Sequence, residues 1–157
     1  MSAHRTLGTN CRAKRPSLGV RVLLIAAAPI LPVACGTTSV PSSNAKPVPM
    51  DRIYATEFAK AQPGYAFLVV TRDKGMRAKA CTARIYIDGA RVADLRPSEQ
   101  IRLFVEEGEH VIGVSSEGSV CIGGTDQTSV AVTRAKPTLL HIEAGHGDGM
   151  TIEPSAF

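Results

Sequence analysis

The densest run of candidate ligands lies near the C-terminus. His141-Ile-Glu143-Ala-Gly-His146-Gly-Asp148 gathers two imidazoles and two carboxylates in eight residues. A divalent transition ion accepts such groups. The surrounding pattern points elsewhere. His141 and Glu143 alternate with Leu140, Ile142 and Ala144, as on the solvent face of a β-strand. Gly145, Gly147 and Gly149 read as a turn too loose to hold tetrahedral geometry. The run is therefore expected to be an exposed strand end and loop, with no resident metal and no cofactor.

Other reactive side chains fare similarly. A cysteine–histidine nucleophile needs Cys81 or Cys121 as a free thiolate near His110, His141 or His146. Residues 123–126 (GGTD) lack the lysine and the strand–loop–helix setting of a phosphate loop. Residues 115–119 (SSEGS) lack the spacing of a nucleophile elbow. Glu106, Glu107 and Glu109 read as a solvated hairpin tip. Residues 72–79 (RDKGMRAK) read as a charged connection, with contact to anionic lipid as the alternative. No catalytic residue emerges, and an enzyme is not expected.

The elements that would carry these groups begin after a distinct leader. The formal charge is +4, but five of the eighteen basic residues precede residue 22. From Cys35 onward, thirteen basic residues face all fourteen acidic ones. A net charge near −1 for that body removes the argument for a polyanionic partner. Aromatics make up only 4% of the chain and tryptophan is absent, so base stacking has little to work with and nucleic acid is set aside. Residues 22–34 (VLLIAAAPILPVA) are uncharged. As a helix they would reach about 20 Å, short of a roughly 30 Å hydrocarbon core. A basic head, a short apolar middle and a small-residue end make an export signal.

The end of that leader resembles a bacterial lipoprotein signal, whose box reads Leu, a small or apolar residue, Ala or Gly, then Cys. Val33, Ala34 and Cys35 fill the last three places, and Pro32 stands where leucine is usual. The resemblance implies lipidation at Cys35 and a membrane-anchored protein. By likeness to lipoprotein sorting signals, Gly36 permits transit to the outer membrane, facing the periplasm. The residues also allow ordinary cleavage after Gly36, an uncleaved anchor, or a start near Val20. Cys11 goes with the leader. By either cleavage route Cys81 and Cys121 remain as one pair, expected as a disulfide in an oxidising compartment. Two buried reduced thiols are the alternative.

Three regions follow: a signal peptide over 1–34, a flexible tether over 35–50 and a β-domain over 51–157. The tether is rich in Ser, Thr and Pro and is expected to be extended and solvated. Tyr54, Phe58 and Ala61 suit a short amphipathic helix over 50–62, although a loose strand also fits 52–56. Strands are expected over 66–71, 81–87, 91–95, 101–105, 109–115, 128–133 and 138–144, with a short last one over 150–153. Asp88-Gly89 reads as a two-residue hairpin turn. Seven or eight short strands with frequent turns predict a small antiparallel β-sandwich or barrel.

Residues 83–114 (ARIYIDGARVADLRPSEQIRLFVEEGEHVIGV) resemble the PEGA-type β module and related small bacterial envelope lipoproteins of unknown function. The shared theme is an apolar strand, Asp-Gly, a short strand, a turn, another strand and a Gly-x-His-x-apolar return. Asp88-Gly89 and Gly108-Glu109-His110 match it. The resemblance implies an envelope β-domain and brings no catalytic residue. An unidentified envelope protein or glycan is the expected partner.

Overall fold

The computed structural model describes residues 40–75, 79–121, 123–144 and 149–155. Nine strands are described: β1 (Lys46–Pro47), β2 (Tyr65–Arg72), β3 (Thr82–Ile87), β4 (Ala90–Leu95), β5 (Glu99–Glu106), β6 (Gly108–Glu117), β7 (Thr125–Val132), β8 (Thr138–Ala144) and β9 (Met150–Pro154). They form two sheets packed face to face, one ordered β1-β5-β2-β8-β9 and the other β4-β3-β6-β7. The result is a small β-sandwich, and neither sheet closes into a barrel.

Alternation builds the core. Leu68 and Val70 of β2, Leu103 and Val105 of β5, and Leu140 and Ile142 of β8 are buried from one sheet. Ile85 and Ile87 of β3, Ile112 and Val114 of β6 and Val132 of β7 meet them from the other, in one continuous cluster. Period-2 alternation commits one face of each strand to this interior. Asp88 and Gly89 both take positive φ, 49° and 81°, which is the backbone of the tight turn that joins β3 to β4.

Two pairings depart from the antiparallel expectation. β2 runs parallel to β8, and the short β1 runs parallel to β5. Parallel neighbours need a long crossover. The excursion through β3 to β7 supplies it, returning the chain beside β2 in the same direction.

The second half of the expected tether is also ordered. Lys46 N–H donates to Ser98 O at 2.9 Å and Val48 N–H to Gln100 O at 2.9 Å. Gln100 Nε2 donates to Ala45 O at 3.0 Å. Ala45 and Val48 are buried. Backbone pairing with β5 and burial of two apolar side chains outweigh the Ser/Pro composition of residues 40–49. The expected helix over 50–62 is two 3-10 turns, Met50–Arg52 and Thr56–Ala59. Tertiary contacts override its helical spacing. Ile53 bridges Ala93, and Tyr54 N–H donates to Val92 O at 2.8 Å. Arg52 forks onto Glu99 with N–O distances of 2.7 and 2.6 Å.

Arg72 ends β2 on the core side and is buried. Its Nη1 donates to Cys81 O at 2.7 Å and Leu95 O at 2.8 Å, stapling one sheet to the other. Burial lowers its pKa to about 10, partly offset by the Glu99 charge, so it remains charged at neutral pH.

Candidate functional site

The parallel β2–β8 pair sets the chemistry of one corner. Its register places Thr71 beside His141 and Arg72 beside Ile142. The ladder continues one step further, with Asp73 N–H donating to Ile142 O at 2.9 Å. Alternation then puts Thr71, Asp73, His141 and Glu143 on the outer face of the five-stranded sheet. One ligand atom from each of Asp73, His141 and Glu143 lies within 4.8 Å of the others. His141 Nε2 stands 3.5 Å from Glu143 Oε1.

Residues 40–43 cover this corner. Val40 N–H donates to Asp73 Oδ1 at 2.9 Å. Asp73 as a residue is only 4% exposed, and its Oδ2 is buried with no hydrogen-bond partner. A cavity of about 380 Å³ opens at the His141 side of this corner, lined by Val40, Ser42, Thr71, His141 and Ser155 among others.

The Cys81–Cys121 pair is joined by a disulfide, with Cα atoms 5.8 Å apart. Cys81 immediately precedes β3 and Cys121 follows β6. These strands pair with Thr82 opposite Glu117, so the cysteines meet just beyond the last rung. Gly118 turns the chain between them, with φ of +143°. A Cβ there would stand 2.8 Å from Cys121 Sγ. With both sulfurs bonded, neither is available as a thiolate.

No family model, curated protein or solved structure matches this chain. The functional reading therefore rests on its own residues.

Several other charged groups make structural contacts. Asp94 lies under Arg84, Arg91 and Tyr54, with contacts of 3.0–3.2 Å. The Arg91 guanidinium stacks 3.6 Å from the Tyr54 ring centroid. His110 Nδ1 lies 2.7 Å from Asp88 Oδ2, and its Nε2 lies 2.9 Å from Glu106 O. Val111 N–H donates to Asp88 Oδ1 at 2.9 Å, so one carboxylate ties the β3–β4 turn to β6. Burial alone would lower the His110 pKa. The Asp88 carboxylate and the Glu106 carbonyl outweigh it and raise the value above that of a free histidine. Glu107, on the expected acidic hairpin tip, pairs with Arg134 at 2.8 Å. Arg72 and Asp73, expected on a solvated charged loop, are both buried.

The structure thus brings together His141 and Glu143, two of the four ligands considered from sequence. His146, Asp148 and Cys35 lie outside the described residues. Asp73 was not among those four. It lies sixty-eight positions before His141, and only the pairing of β2 with β8 joins them. The one local hint is that Arg72 and Asp73 follow directly on the β-branched run AFLVVT.

Proposed function

We propose that this chain is a non-enzymatic lipoprotein of the bacterial cell envelope. Cys35 carries the lipid, and the protein faces the periplasm from the outer membrane. Its β-sandwich serves a structural or partner-binding role toward an envelope protein or glycan. The observation that carries this reading is the Cys81–Cys121 bond. Disulfides persist in oxidising compartments, which accords with the basic head and apolar run of an exported chain. The pairing uses both cysteines of the β-domain, leaving Cys35 for acyl attachment. It also removes the thiols that a cysteine nucleophile requires. The Asp88-Gly89 turn and the Gly108-Glu109-His110 return belong to the unit that resembles the PEGA-type module.

Intact mass of the membrane-extracted protein tests the anchor. A diacyl or triacyl increment on an N-terminal Cys35 is expected, and Cys35→Ala should release the protein from the membrane. A mature chain starting at Thr37, or unchanged membrane retention of the variant, would sink the proposal.

A further inference from the structure

We propose that Asp73, His141 and Glu143 form a binding site for one divalent transition-metal ion, represented by zinc. The site is not the run of ligands visible near the C-terminus. It is assembled across the parallel β2–β8 pair, which sets Asp73 on the same outer face as His141 and Glu143.

Three observations converge. The first is proximity: the three ligand atoms lie within 4.8 Å of one another. Ligands of a tetrahedral zinc ion, each about 2.0–2.1 Å from the metal, stand about 3.3 Å apart. His141 and Glu143 already stand 3.5 Å apart, and the remaining closure of at most about 1.5 Å toward Asp73 falls to these two side chains, which are 24% and 46% exposed and free to adjust their rotamers. The second is the orphaned oxygen. Asp73 is 96% buried by the accessibility of its residue, and Oδ2 has no partner. Native structures rarely leave a buried carboxylate oxygen unpaired, and a cation is among the few groups that resolve it. The third is access at one ligand: of the three, His141 lines a cavity of about 380 Å³, from which a hydrated ion can reach its ring.

The charge balance is favourable. Two carboxylates neutralise a divalent ion, so a buried anion gains a partner without leaving a net buried charge. Imidazole favours zinc, copper or nickel over magnesium or calcium. Val40 N–H holds Asp73 Oδ1 and leaves Oδ2 as the uncommitted oxygen, as an outer-shell donor does for a metal-bound carboxylate. Three protein ligands leave the fourth position of a tetrahedral ion to water.

The test is titration of zinc chloride into the full-length, chelator-treated protein in detergent micelles, followed by calorimetry. One ion per chain is expected, with Kd on the order of 10 µM or tighter. Asp73→Asn, which keeps the acceptor for Val40, should weaken binding at least tenfold. Glu143→Gln, at a half-exposed strand position, should do the same without lowering the melting temperature of the metal-free protein. No binding at about 100 µM zinc would overturn the proposal. So would binding that survives Asp73→Asn but is lost in His146→Ala, because the ligands would then be the sequence-local run. Lipidation of Cys35 bears on neither outcome.

Discussion

Removing the Cys81–Cys121 bond tests how much of this small sandwich is held covalently. The cysteines are 40 positions apart. Opening a loop of that size in the unfolded chain releases entropy worth about 4 kcal/mol at room temperature. Cys81 is buried, so alanine at both positions is a cleaner perturbation than serine, which would bury a hydroxyl. The native state should barely respond, because the β3–β6 pairing with Thr82 opposite Glu117 already holds the two ends together. At about 2.1 cal/mol/K per residue, a domain of about 115 residues unfolds with an entropy near 240 cal/mol/K. A loss of about 4 kcal/mol then lowers Tm by about 16 °C. Differential scanning calorimetry reads it directly. Wild-type protein melted in reductant should coincide with the Cys81→Ala/Cys121→Ala variant. A shift below about 4 °C, or a reduced wild type that melts with the oxidised one, would refute the loop-entropy account.

Two further outcomes are expected. Gly118→Ala should cost about 1–3 kcal/mol, from a Cβ placed 2.8 Å from Cys121 Sγ and a φ of +143°; in the Cys81→Ala/Cys121→Ala background the steric part should vanish, and simple additivity in denaturant melts would count against the clash. The raised pKa of His110 contributes stability that is full below the unfolded value near 6.5 and is lost as pH rises through the folded value. The lowered pKa of Asp88, held down first by its hydrogen bond to His110, contributes above its unfolded value and is lost as pH falls through the folded one. The pair should therefore stabilise most between about pH 4 and 6.5, by under about 1 kcal/mol because Asp88 is half exposed. Asp88→Asn should lower the His110 pKa in an NMR titration, and an unchanged value would show that the contact is not made in solution.

Much of the sandwich was legible because its physics is local. Ile85 and Ile87, or Leu103 and Val105, announce a buried face through alternation alone, and Asp88-Gly89 supplies the positive φ its turn needs. Where the reading failed, distant residues decided. Tyr54, Phe58 and Ala61 carry a helical spacing, yet Val92, Ala93 and Glu99 pull this segment into bridges and turns. Ala45 and Val48 sit in a composition that reads as solvated, and only an edge offered by β5 explains their burial. The Asp73–His141–Glu143 corner depends on a parallel pairing closed by a long crossover, which leaves no short-range mark.

The docking of residues 40–49 has a consequence for how the domain would sit. With lipid on Cys35, five peptide steps separate the anchor from Val40, whose amide is fixed to Asp73. Those steps span at most about 18 Å. A domain of about 115 residues has a radius of gyration near 13 Å. Such a leash is too short to let the domain roam. It would hold the Asp73 corner of the five-stranded sheet down against the headgroups, and a partner arriving from the aqueous side would meet the opposite surface, where Arg84 and Asp94 cross the four-stranded sheet.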